Sequence, residues 1–199
     1  MMQHEGNYEG IYNTGLGVKV IVHAFGPFSA LASTYLLEQG IGKPGAEGLV
    51  VIDENEQIPA RLFAVALERI AHEVGENVVI QVGQHIPKNA RFPPNMDTID
   101  KALSSLDMAM HQSHWKNGKR MFDPATGQFQ EGIGHFRYKK IEDKNEIHID
   151  CDTLYPCAMD FGLVKAMSLR FQPKANVVHE NKDKCRDITG QTCRYVVTW

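Results

Sequence analysis

Along residues 59–115 apolar side chains recur every three or four positions, and from about Gly132 the spacing tightens toward every second residue. The first period belongs to helices with one buried face, the second to half-buried strands. Over 59–74, Leu62, Ala66, Ile70 and Val74 recur while Glu68, Arg69 and Glu73 fall elsewhere, which predicts an amphipathic helix stopped by Gly75. A second helix is expected from 76 to about 85, with Val79, Val82 and Ile86 in line, before Pro87, Pro93 and Pro94 impose a rigid loop. Asn95 or Asp97 can cap a third, running to about Trp115 on a stripe of Ile99, Leu103, Leu106 and Met110 that extends to His114. Nearer the start, 27–39 reads as a helix: Pro27 suits its first turn, Leu31, Tyr35 and Leu36 share a face, and Gly40 ends it. Residues 1–16 are polar and Gly-rich and are expected to be irregular, and 18–22 alternates too little to settle its type.

Residues 134–140 and 146–151 read as strands joined by a polar turn at Asp143, Lys144 and Asn145. Residues 156–171 return to helix, and 177–180 and 193–199 read as two further strands across a charged loop. The order is a helical half, then strand-strand-helix-strand-strand. It implies an α+β fold with an N-terminal helical layer packed on a C-terminal antiparallel sheet. Residues 1–199 are read as one ligand-binding domain, 1–129 forming the helical layer and 130–199 the sheet half.

Composition narrows the function. The chain is 43% hydrophobic and 23% charged, an ordinary globular balance, and its net charge of -3 comes without a basic stripe, so nucleic acid is not an expected partner. The N-terminus lacks the order of a signal peptide and no apolar run reaches bilayer length, so a cytoplasmic protein with no membrane partner is expected. That compartment disfavours disulfides and gives metal binding more weight. Catalytic motifs are scarce. Gly15-Leu16-Gly17 lacks the spacing of a dinucleotide loop, no Gly-x-Ser-x-Gly elbow occurs, and Ser104 and Ser105 have no visible base. Asp150 and Asp152 share a strand face and could do acid–base work, but solvated strand ends explain them equally well.

All the cysteines, Cys151, Cys157, Cys185 and Cys193, lie in the sheet half, with His179 between the two groups. Clustered thiols beside an imidazole are what a closed zinc site uses. Cys157 would sit at a helix N-terminus, where the dipole favours thiolate. Three plainer readings compete: buried small hydrophobes, a disulfide between Cys185 and Cys193, and Cys151 as a simple strand residue.

The run Tyr155-Pro156-Cys157, the helix to Phe171, Val177-Val178-His179-Glu180 and Cys185-x4-Gly190-x2-Cys193 resembles the 4-vinyl-reductase-type small-molecule-sensing domain. That domain belongs to a superfamily with haem-nitric-oxide-binding proteins and TRAPP-type subunits. The resemblance covers about 130–199. It implies a structural Zn2+ held by Cys157, Cys185 and Cys193, with phenols bound beside it in aromatic-sensing members. Where the family often has a glutamate ligand this chain has Lys182, which leaves His179 or Glu180 as the fourth ligand, and His179 is the better soft donor.

A ligand pocket is then expected between helices and sheet, drawing on Phe28, Tyr35, Met108, Met110, His111, His114, Trp115, Met159, Phe161 and Met167, with Phe25 nearby. The same residue types also build plain cores. The expected function is a non-enzymatic, zinc-containing regulatory domain for a small apolar or aromatic ligand. It would dimerise, by resemblance, and act through a signalling partner. The alternatives are a haem-based gas sensor using His111 or His114, and an enzyme acting on a tetrapyrrole-like substrate. His23, His85, His135 and His148 have no distinguishing context.

Overall fold

The computed structural model describes residues 8–90, 92–180, 182–189 and 192–199. Gly190 of the cysteine motif and the first seven residues of the N-terminal segment lie outside them.

The Gly-rich start holds more order than its composition suggests. A strand, β1 (Ile11–Thr14), leads directly into helix α1 (Gly15–Ala24). Thr14 caps the helix by accepting from the Gly17 amide at 3.2 Å, and Val18 and Val22, one turn apart, are buried. This settles the undecided 18–22 segment as helix. A 3-10 turn carries Pro27 into α2 (Ser29–Glu38). After β2 (Gln57–Pro59), α3 (Ala60–Val74) buries Phe63, Ala66, Leu67 and Ile70, so the buried face is turned from the expected one and Leu62 is left outside. Helix α4 (Glu76–Asn89) runs through Pro87, further than the rigid loop expected there.

The helix expected up to Trp115 is broken twice. Thr98, not Asn95 or Asp97, caps α5 (Ile99–Ser104), and Ser105 separates it from α6 (Leu106–Gln112). Where the two helices end, Ser105 and Ser113 turn their hydroxyls back onto the Ala102 and Ala109 carbonyls. His114 therefore opens a strand, β3 (His114–Lys116). With β4 (Lys119–Arg120) it forms an antiparallel sheet in the order β2-β1-β3-β4.

The second sheet is made by β5 (Phe136–Lys140), β6 (Glu146–Cys151), β7 (Asn176–His179) and β8 (Cys193–Thr198), antiparallel in the order β7-β8-β6-β5. On β6, Ile147, Ile149 and Cys151 face the core, and on β8, Cys193, Tyr195 and Val197 do. Helix α7 (Cys157–Phe171) lies between β6 and β7 in the chain, and a short helix, α8 (Arg186–Thr189), precedes β8. The whole is α+β with antiparallel sheets.

Helices α4 and α7 touch backbone to backbone. A Cβ on Gly83 would lie 2.0 Å from the Met159 carbonyl oxygen, and one on Gly162 would lie 2.1 Å from that of Ile80. Only glycine at both places permits the crossing. Among the described residues no single helix is long and apolar enough to cross a membrane.

Candidate functional site: a methionine-walled cavity beside a thiol cluster

The close crossing of α4 and α7 forms one side of a cavity of about 420 Å³. Val20 and Ile21 of α1, Ile86 of α4, Met108 and Met110 of α6, and Met159, Leu163 and Met167 of α7 supply apolar wall, completed by Phe92, Met96, Leu106 and Phe136. Asn13, His114, Tyr155 and Asp160 add polar groups, and no Lys or Arg lines it among the described residues. The size and wall chemistry suit a small-molecule or cofactor site.

His114 is the imidazole on that wall, 2% exposed. Its Nδ1 donates to the Met110 carbonyl at 2.7 Å, and its Nε2 lies 2.5 Å from the Tyr155 hydroxyl. The same hydroxyl is 2.6 Å from the side-chain amide of Asn13. Burial pushes the His114 pKa down to about 4, so the ring is neutral at physiological pH. A ring nitrogen anchored on a backbone carbonyl leaves the other as lone-pair donor, the usual arrangement of a metal-binding histidine.

Asp160, one turn into α7, is 2% exposed. Its Oδ2 accepts from Thr153 Oγ1 at 2.5 Å, from Cys151 Sγ at 3.2 Å and from the Arg186 guanidinium. Arg186 also donates to the Cys151 carbonyl at 3.0 Å and the Tyr155 carbonyl at 2.6 Å. Burial raises the Asp160 carboxyl while Arg186 pulls it back down. Sequence reading missed this pair. The available signal was an acidic residue three positions after Cys157 on a helix otherwise headed for the core.

Beyond Arg186, the Cys157, Cys185 and Cys193 thiols lie within 4.8 Å of one another, all buried. The Cys157 and Cys185 sulfurs are 3.8 Å apart. The Cys157 amide, at the first turn of α7, donates to Asp187 Oδ2 at 2.8 Å. Hydrogen bonding to Cys157 holds the Cys193 thiol below its ordinary value against the opposing effect of burial, with His179 adding to it, and the same thiol pairing pushes Cys157 up. His179 thus reaches Cys193, while its Nε2 is buried with no partner among the described residues and its ring lies beside Phe161 and Tyr195. Glu180 faces Arg194 at 3.9 Å, Lys182 pairs with Glu76, and Cys151 is taken up by Asp160.

The structure brings Met108, Met110, His114, Met159 and Met167 together at the cavity and sets the other expected pocket residues elsewhere. Phe28 is 40% exposed on the turn before α2, and Phe25 is buried in the core. Tyr35 lies under the Arg69 guanidinium and Trp115 under that of Arg120. Phe161 belongs to the His179 end. His111 faces away from the cavity residues into a separate cluster, stacked on His135, whose Nδ1 lies 3.0 Å from Asp107 and whose Nε2 lies 2.8 Å from Glu131. The break at Ser113 is the reason: three residues apart on one helix, His111 and His114 would share a face, whereas here His111 is helical and His114 opens a strand. Asp150 and Asp152 are ion-paired with Arg194 and Arg137.

No family model and no curated protein matches the sequence, so the 4-vinyl-reductase resemblance draws no support from either. Solved structures do match. An H-NOX protein from S. oneidensis in the Fe(II)NO ligation state gives a TM-score of 0.59 at 14% identity, over 92% of this chain and 97% of that one. An Fe(II) unliganded H-NOX mutant from K. algicida gives 0.58 at 12%, over 93% and 95%. A mutant H-NOX from T. tengcongensis gives 0.56 at 13%, over 93% and 96%. At such identities the likeness establishes fold alone, and the fold is that of the haem-nitric-oxide-binding (H-NOX) structures.

Proposed function

We propose that this chain is a ligand-sensing domain whose sensing site is the methionine-walled cavity, and that haem is its ligand, held through His114. The observation that carries this is the state of His114, a cavity-lining residue: buried, neutral, with Nδ1 fixed on the Met110 carbonyl and Nε2, beside the Tyr155 hydroxyl, left as the lone-pair atom. The H-NOX neighbours, one in the Fe(II)NO ligation state and one Fe(II) unliganded, support haem as the ligand to try first. When bound, haem would supply an iron coordination position for a diatomic gas. The apolar side chains of α1, α4 and α7 would exclude water from it, and His114 would orient it. The test is haemin titration of the purified chain followed by absorption. A Soret band that saturates at one haem per chain and is lost in His114→Leu supports the reading; a chain that gains no such band sinks it.

A second reading, an uncharged apolar or aromatic molecule in the same cavity, is favoured by the lack of a lining Lys or Arg to meet haem's carboxylates among the described residues. Beside either ligand we place a structural Zn2+ at the thiol cluster. Zinc–sulfur bonds of 2.3 Å put tetrahedral ligands about 3.8 Å apart, and Cys157 and Cys185 already stand 3.8 Å apart. Cys193 is the third thiol of that cluster, and His179, which stands outside the group whose ligand atoms lie within 4.8 Å of one another, would close the set of four by turning its ring toward it.

A further inference from the structure

The Tyr155 hydroxyl has one proton and two polar neighbours, His114 Nε2 at 2.5 Å and the Asn13 amide at 2.6 Å. The direction of each bond follows from what the partners can do. The Met110 carbonyl only accepts, so His114 Nδ1 carries the ring proton. In the neutral ring Nε2 is then an acceptor and can only take the Tyr155 proton. That proton is now used, so Asn13 must donate to the phenolic oxygen. It does so when its amide presents nitrogen rather than oxygen toward Tyr155, and the Asn13 nitrogen is otherwise buried without a partner among the described residues. The result is a one-way relay from the Asn13 N–H through the Tyr155 O–H and His114 to the Met110 carbonyl.

The relay passes through the atom a cavity ligand would use, His114 Nε2. We propose that Tyr155 is a competitive cap on His114: its hydroxyl occupies the Nε2 lone pair, and a ligand that coordinates or donates to that nitrogen must first displace it. The cap is held from behind. Arg186 grips the Tyr155 carbonyl at 2.6 Å, and the ring packs edge-on against Phe63 with centroids 6.3 Å apart. A displaced hydroxyl stays beside the Asn13 side chain, whose amide can turn its oxygen inward to accept the proton released from His114, so opening does not strand the hydroxyl. Tyr155 is thus a positioning residue that sets ligand affinity without itself being a ligand.

This rests on the reading of the cavity as a haem site, and the test separates the two. Haemin is titrated into the full chain, Tyr155→Phe and Asn13→Asp, and the 15N resonance of His114 Nε2 is recorded on each without haemin. Tyr155→Phe leaves the lone pair buried and bare. It should tighten haemin binding by about tenfold or more and shift the Nε2 resonance toward that of a free acceptor. Asn13→Asp keeps the phenol but draws its proton away from the imidazole, and should move both readouts in the same direction. Equal haemin affinity in all chains, or an unmoved Nε2 resonance in both variants, overturns the cap while the haem reading stands. Failure of every chain to bind haemin overturns the haem reading and the cap on it together.

Discussion

Gly83 of α4 and Gly162 of α7 are reciprocal contacts: each lacks the Cβ that would otherwise strike a carbonyl of the other helix, at 2.0 and 2.1 Å. Neither obstacle is a flexible side-chain end, so alanine at either site must push the helices apart. Overpacking of this kind costs about 1–3 kcal/mol or more. Gly83→Ala and Gly162→Ala should each lower the urea midpoint accordingly, and the double variant should cost less than the sum because one separation relieves both clashes. Single variants within about 0.5 kcal/mol of wild type would show that the crossing is looser than described.

Asp160 and Arg186 are each under a tenth exposed. Removing one partner leaves a buried charge, at a cost of about 3–5 kcal/mol. Arg186→Met should therefore be strongly destabilising, and adding Asp160→Leu should recover most of the loss. A double-mutant cycle by chemical denaturation measures this; a double variant as unstable as Arg186→Met would mean that Asp160 matters for its Thr153 and Cys151 bonds instead.

Two histidines give opposite pH dependences. Burial pulls His135 down, but Glu131 and Asp107 outweigh it and its pKa is raised. Its stabilisation is present in full below the unfolded value of about 6.5 and is lost as pH climbs through the higher folded value. His114, lowered to about 4, behaves in reverse. Unfolding lets it take a proton, so stability falls as pH drops from about 6.5 toward 4, by ~3 kcal/mol at full development. Urea titrations from pH 4 to 8.5 on Asp107→Asn and His114→Leu separate the two. The first should flatten the alkaline limb and the second the acid limb; an unchanged limb in either variant assigns it to other groups.

Cys185→Ser should release the proposed zinc, whereas Cys151→Ser should retain it, since Cys151 donates to Asp160 and stands outside the thiol cluster. Elemental analysis of chain purified without chelator reads both. Loss of zinc in Cys151→Ser, or none in wild type, would contradict the ligand set. His179→Ala should weaken retention while Glu180→Ala leaves it unchanged.

How far the chain could be read in advance depended on whether local pattern and tertiary contact agreed. Strand β6, at Glu146–Cys151, is legible because buried Ile147, Ile149 and Cys151 alternate with half-buried partners. Helix α7 is legible because Pro156 precedes it and apolar residues fill it. The convergence of three thiols is likewise written in their spacing around one helix start and one connection between strands. The sheet built by β1 and β3 is not legible: its strands are three or four residues long and pair across most of the helical half, so no local period reports them. His114 shows the consequence. Its place on an apolar stripe suggested a helix face, but the helix ends at Gln112 and a strand delivers the ring. Tyr155, Asn13 and Asp160 left no periodic trace because their bonds run to other elements of the fold, not along their own.

The buried ion pair also carries a statement about the order of assembly. Asp160 precedes Arg186 by 26 residues. In a chain that emerges N-terminus first, α7 can settle against α4 before its counter-ion exists, and a carboxyl in that position keeps its proton. Arrival of the guanidinium then favours the ionised form, so closing this part of the core sheds a proton. The last connection before β8 would complete the fold by ionising a carboxyl that had been neutral until then, and the acidity of the medium would bear on how fast that final step proceeds.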